Sequence, residues 1–172
     1  MRLTVIAMGI LAMMMSGCSS TPQPTYSPAY LNNLLAPKAG MAKLIVYYPL
    51  SASYSSAWSG RKVDVKLQGI ENCRLTSGNF FTRDVTSGSL AISASLCNGN
   101  GVSQLTIHLI ANNKYYIQVM PKDESVVGRI ASRNVSVTEN PATHAEGTAF
   151  FIDRVDEQTA MKQLSLLKME EQ

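Results

Sequence analysis

From Met41 onward the chain alternates apolar and polar residues with a period of two, in short runs rich in β-branched and aromatic side chains and bounded by Gly, Asn and Ser. The pattern predicts strands at "KLIVYYP", "KVDVKLQ", "FFTRDV", "SLAISASL", "QLTIHLI", "YYIQVMP", "GRIASRNVSV" and "GTAFFIDRV", with turns at "LQGIEN", "TSGS" and "ANNK". In "KVDVKLQ", Val63, Val65 and Leu67 point one way and Asp64, Lys66 and Gln68 the other, so one face is buried and one is wet. Short strands at this spacing predict a mainly β fold, an antiparallel β-sandwich of about eight strands. After Val155 the period becomes helical. Asp156 suits an N-cap and Glu157 the first turn, while Ala160, Met161, Leu164 and Leu167 form one apolar stripe. This C-terminal helix is expected to pack on an open face or edge of the sheet, the alternative being a partner-binding helix.

The N-terminus follows a different pattern. Arg2 precedes an apolar run from Leu3 to Met15, which ends in Ser16 and Gly17. A positive start, a short apolar stretch and a small-residue cleavage site are the layout of a secretory signal peptide. As a helix the run would measure about 20 Å at 1.5 Å per residue, short of the ~30 Å hydrocarbon core of a bilayer. Met15-Ser16-Gly17-Cys18 resembles the lipobox of bacterial lipoproteins, with Met15 where Leu is usual. The resemblance implies that residues 1–17 are removed and that Cys18 becomes a lipidated N-terminus carrying diacylglycerol and a further acyl chain such as palmitate. At about 0.8 kcal/mol per buried CH₂, two or more chains hold a protein stably on a membrane. Ser19 occupies the position where an Asp favours inner-membrane retention in such lipoproteins, which implies the outer membrane, on its periplasmic face.

Residues 18–40 read as a tether. Four of the seven prolines fall between Pro22 and Pro37, favouring extended, semi-rigid chain, with "YLNNLLA" able to form a short helical turn. Residues 41–172 are enough for one domain with a real core. The formal net charge is +3, and the Lys and Arg residues are scattered, so no basic stripe suggests nucleic-acid binding. With Cys18 lipidated, Cys73 and Cys97 make an even pair in an oxidising compartment. A bridge between them would close a loop of about 25 residues and contribute on the order of 3 kcal/mol, and the alternative is two buried thiols. Neither belongs to a Cys-x-x-Cys or lies near a histidine in sequence, so a metal site is not expected.

The block "VKLQGIENCRLTSGNFFTRDVTSGSLAISAS" resembles a domain of unknown function found in short bacterial lipoproteins and related to the PEGA-type β-sandwich. The matching positions are Val65, Leu67 and Gly69, then Leu75, Gly78, Phe80, Phe81 and Gly88, then Tyr115, Tyr116 and Val119, and finally Leu167 and Lys168. Ser87 stands where the family's hairpin usually has Pro, and Tyr48 where the first strand often ends in Arg. The segment from Met120 to Gly147 is longer than the family's usual link. The resemblance implies a sandwich and an envelope location, and brings no enzymatic activity with it.

The chain offers little chemistry of its own. His108 lies in a predicted strand, where a solvent-facing or hydrogen-bonded structural histidine is the plain reading, and His144 lies in a predicted loop with Glu146 two residues on. Neither comes with a spaced carboxylate set for metal binding or acid–base work. There is no G-x-S-x-G elbow or phosphate loop, and "CNGNG" reads as a tight turn. Asp64, Asp84 and Asp153 fall singly in strands. No cofactor is implied. "YPLSASYSSAWSGRK" stands apart, because it sets Tyr54 and the only tryptophan, Trp58, among small polar residues ahead of Arg61 and Lys62. That composition is typical of binding loops; alternatively, Trp58 folds back over the sheet.

The expectation is therefore a lipid-anchored periplasmic protein of the outer membrane, not an enzyme, acting as a structural or protein-interaction module on an envelope protein partner. The alternatives are an accessory lipoprotein of a secretion machine of the type VI kind, or a small-ligand carrier.

Overall fold

The structure, a computed structural model, describes residues 25–49, 62–68, 70–96, 102–121 and 150–170, with the backbone alone at 70–73. In chain order the elements are α1 (Pro28–Leu34), β1 (Met41–Tyr48), β2 (Lys62–Leu67), β3 (Ile70–Thr76), β4 (Asn79–Thr86), β5 (Gly88–Leu96), β6 (Ser103–Leu109), β7 (Lys114–Pro121), β8 (Phe150–Val155), α2 (Glu157–Leu164) and β9 (Lys168–Met169). The strands form two sheets, β8-β7-β1-β4-β9 and β3-β2-β5-β6. These make the expected sandwich, with most pairings antiparallel and two parallel ones, β1 with β7 and β4 with β9.

Burial explains which strand sits where. β2, β5 and β6 alternate buried and exposed positions, so their sheet has one packed face and one solvated face. β1 and β7 lack that alternation and are buried on both faces. They form the central parallel pair of the five-stranded sheet, as near-continuous apolar runs require. On the inner side of that sheet, Leu44, Val46, Phe81, Ile117 and Ile152 meet Val63, Val65, Ile92 and Ile107 of the other sheet. On its outer side Ile45, Tyr47, Phe80 and Tyr116 lie beneath a helical layer made by Leu31, Leu35, Ala160, Leu164 and Leu167. Each fully buried side chain of this size contributes roughly 1.5–3 kcal/mol, so the helical layer is a second core. The molecule thus has three layers: sheet, sheet and helices.

Both helices are capped, α2 by the expected Asp156 and α1, which begins before "YLNNLLA", by Ser27. The Ser27 hydroxyl accepts the Tyr30 N–H at 3.2 Å with Pro28 in the first turn, and Asp156 Oδ1 accepts the Thr159 N–H at 2.8 Å. The α1 finding changes the domain limits. Residues placed in the tether by their prolines belong to the fold from residue 25, where the Thr25 N–H donates to the Ser165 carbonyl. Two other differences from the sequence pattern concern β3 and the C-terminal helix, which ends at Leu164 and leaves Leu167 in the turn beyond it. β3 contains part of the "LQGIEN" stretch read as a turn, and β9 is only two residues long. The "GRIASRNVSV" strand lies outside the described residues.

The chain passes between sheets through very short arches. Ser87 alone separates β4 from β5, and Gly88 takes up the reversal with φ of 132°. A Cβ at that position would meet nothing within 4 Å, so the obstacle is backbone conformation and not space. Gly88→Ala is expected to cost about 1–3 kcal/mol, read as a lowered urea midpoint with an unchanged slope.

Candidate functional site

The register of the sheets fixes which connections share an end of the sandwich. β1 finishes at Tyr48 opposite Asn79, where β4 begins, and β2 starts at Lys62 opposite Thr76, where β3 finishes. Leu96 pairs beside Val63, Ser103 beside Ala94, and Phe150 beside Pro121. All of these positions lie at one end, here the upper end. The three long connections 50–61, 97–101 and 122–149, which lie outside the described residues, therefore all leave from and return to it. The lower end carries short turns, among them 36–40, Ser87 and 110–113.

Hydrogen bonds tie the strand ends at the upper end into a frame. Gly78, with φ of 88°, donates its N–H to the Tyr48 carbonyl at 2.8 Å and accepts from the Lys168 N–H at 2.9 Å. Across the sandwich, the Glu170 carboxylate accepts from the Thr76 N–H and hydroxyl at 3.3 and 3.2 Å. On the opposite side the buried Ser103 hydroxyl donates to the Phe150 carbonyl, joining the edge strands of the two sheets. Loops hung on a rigid frame at one end of a sandwich are a recurrent way of presenting binding residues.

The sequence-derived candidates map onto this frame unevenly. Tyr54, Trp58 and Arg61 lie in the connection between β1 and β2, outside the described residues, as do Cys18, Cys97 and His144. Cys73 has its backbone in β3 opposite Val65, and its side chain and the disulfide question lie outside what is described. His108 is exposed on β6. Ser89 stands opposite and Ala91 lies on the diagonal, so its strand neighbours supply no carboxylate to orient the imidazole. Asp64 pairs with Arg74 at 3.5 Å across β2 and β3. Asp153 lies in β8 opposite Gln118.

Asp84 is a structural carboxylate. It stands opposite Lys43 in the β1–β4 register, with Lys43 Nζ 3.0 Å from it, and accepts the Lys38 N–H at 3.1 Å, tying the turn after α1 to the sheet. Burial pushes its pKa up, but the hydrogen bonds from Lys43 and Lys38 and their charges outweigh that and hold it below its usual value of 3.8. A carboxylate with a lowered folded pKa stabilises the fold above the unfolded pKa, and that contribution is lost as pH falls through the folded one. Asp84→Asn is therefore expected to lower stability at neutral pH and to flatten the fall in stability below about pH 4. Urea midpoints at pH 7 and at pH 3 check this, and parallel curves for the two proteins would contradict it.

A polar group between α2 and the five-stranded sheet escaped the sequence reading. The Tyr47 hydroxyl donates to Gln163 Oε1 at 2.7 Å, and Gln118 Nε2 to the same oxygen at 3.3 Å. Nearby, the Tyr116 hydroxyl and Lys114 Nζ donate to Glu157 Oε1 at 2.8 and 3.1 Å. Burial, with the Glu157 carboxylate beside it, pushes the Tyr116 pKa above the usual tyrosine range, while the Tyr116 and Lys114 contacts hold Glu157 low. These bonds fix the lateral position of α2. The available signal was Gln118, a polar residue inside the apolar run "YYIQVMP", which demands a partner when buried.

No protein-family model matches the chain, and no curated protein matches it. Among the described residues there is no cluster of three or more His, Cys, Asp or Glu suited to a metal ion, and no helix long and apolar enough to cross a membrane.

Proposed function

We propose that the chain is a lipid-anchored protein of the periplasmic face of the outer membrane, held through Cys18, that binds an envelope protein partner with the upper end of its sandwich and performs no catalysis. One observation carries this reading: the strand ends that border the three long connections 50–61, 97–101 and 122–149 converge there, including those of the connection bearing Tyr54, Trp58 and Arg61. The leader and the lipobox-like Cys18 support the anchor, and the aromatic, serine-rich composition of residues 50–61 supports a binding role. The chain enters the fold at the same end, because Thr25 and Tyr26 bond to Ser165 and Tyr26 packs edge-on against Phe80. From Cys18 to Thr25 the chain reaches about 25 Å at most, so the proposed partner is a membrane protein or one held close to the membrane.

The test is chemical crosslinking in cells of the wild-type chain and of the double variant Tyr54→Ala, Trp58→Ala. The wild type is expected to give a discrete adduct with an envelope protein, and the double variant to lose it. An adduct of equal yield from both proteins contradicts the assignment of the binding role to this end.

A further inference from the structure

Around the point where the chain enters the fold, large apolar side chains stand exposed on the helical layer. Tyr30 is 50% exposed, and Leu166 and Met169 are each 37% exposed. Tyr30 and Met169 contact Tyr26 directly, and Leu166 follows Ser165, whose carbonyl accepts the Tyr26 N–H. The rings of Tyr26 and Tyr30 stack with centroids 5.4 Å apart and planes 14° from parallel. The Tyr26 hydroxyl accepts the Met169 N–H at 3.1 Å, and the backbone N–H groups of Thr25 and Tyr26 donate to the carbonyl of Ser165, next to Leu166. Lys162 and Lys168 are exposed on the same segment, while Glu170 turns its carboxylate to Thr76.

We infer that Tyr30, Leu166 and Met169, beside Tyr26 and flanked by Lys162 and Lys168, form a membrane-contact surface that seats the helical layer of the domain on a phospholipid bilayer. This rests on the proposed lipidation of Cys18. Two features of the molecule select a bilayer as the occupant. The first is the length of chain outside the patch: Cys18 lies seven residues before Thr25, a reach of about 25 Å at most, so lipid attached there keeps the bilayer within that distance of this surface. A leash this short gives an effective concentration in the millimolar range or above, at which a surface of weak intrinsic affinity stays occupied. The second is composition. Tyrosine rings suit the headgroup level, with the ring body in apolar surroundings and the hydroxyl in polar ones, and neighbouring lysines favour anionic headgroups. Seating the patch would orient the domain, leaving the solvated face of β3-β2-β5-β6, on the far side from the helical layer, turned away from the lipid.

The test places a photoactivatable benzophenone side chain at position 30, at position 166, or at position 110 in the full lipidated chain. Ile110 is a control of similar chemistry, 57% exposed at the lower end of the sandwich. The proteins are reconstituted in vesicles of phosphatidylethanolamine and phosphatidylglycerol, irradiated, and analysed for protein–lipid adducts, with radiolabelled palmitate followed in the same preparations. Adduct yields from 30 and 166 are expected to exceed that from 110 by about tenfold. Palmitate label with equal adduct yields at all three positions overturns this inference and leaves the anchor intact. Absence of label from the wild-type chain overturns the anchor, and with it this inference.

Discussion

Phe80→Ala is expected to lower the free energy of unfolding by about 3–5 kcal/mol, a large share of the 5–15 kcal/mol typical of a domain. Phe80 is fully buried on the outer side of the five-stranded sheet, in the second core beneath both helices. One ring contact, one strand pairing and one backbone bond converge on it. The ring of Tyr26 meets it edge-on at 6.0 Å and 87°, β9 pairs alongside it through Met169, and the Glu170 N–H donates to its carbonyl at 2.8 Å. Truncation to alanine removes the ring from a place where sheet, entering chain and C-terminal segment meet, and the backbone bonds on either side limit how far the site can collapse. Equilibrium urea unfolding measures the loss. Hydrogen exchange at the amides of Leu31 and Leu35, bonded within α1 and its cap, is expected to accelerate along with it. A loss below about 1 kcal/mol would mean that the helical layer does not depend on Phe80 as described.

Cys18→Ser is expected to move the protein from the membrane fraction to the soluble periplasmic fraction and to abolish palmitate incorporation. The magnitude follows from the acyl chains, since each buried CH₂ is worth about 0.8 kcal/mol and the CH₂ groups of two or more chains are removed together. Fractionation of cells expressing the variant, with palmitate labelling in parallel, checks this. Retention in the membrane fraction with undiminished label would contradict lipidation at Cys18.

Much of the fold was legible in the sequence because most strands carry their burial in their pattern. β2, β5 and β6 alternate and are wet on one face, so which residues turn to the core follows from period alone. The C-terminal helix was equally plain in its Asp156 cap and in Ala160, Met161 and Leu164, which face the second core, but it ends at Leu164, and Leu167 reaches that core from the turn beyond it. Tertiary context decided the rest. β3 hides behind Glu71, Asn72 and Arg74 because an edge strand pairs on one side only and needs little apolar surface. α1 hides among prolines, yet Pro28 suits a helical first turn and Leu31 and Leu35 are fully buried against the sheet. The central parallel pair could not be read from either strand alone, since the continuous apolar runs of β1 and β7 announce burial on both faces without naming a neighbour.

The candidate site was legible in composition and not in position. Trp58 and Tyr54 stood out in a serine-rich stretch, but only the register of two sheets shows that this stretch shares an end with 97–101, 122–149 and the entering chain. Gln163 and Glu157, by contrast, look like ordinary polar helix residues in the sequence. Their roles depend on Tyr47, Gln118 and Tyr116 of the sheet, distant in sequence.

An upper end that binds an envelope protein while Cys18 holds the chain to the membrane places position 58 against that protein in living cells. The most direct measurement is photo-crosslinking from position 58 in the lipidated protein in living cells, with position 110 at the lower end as control and mass spectrometry of the captured material. A discrete envelope protein captured from 58 and not from 110 is the predicted result. Capture of no discrete protein from 58, or of the same proteins from both positions, would contradict that placement.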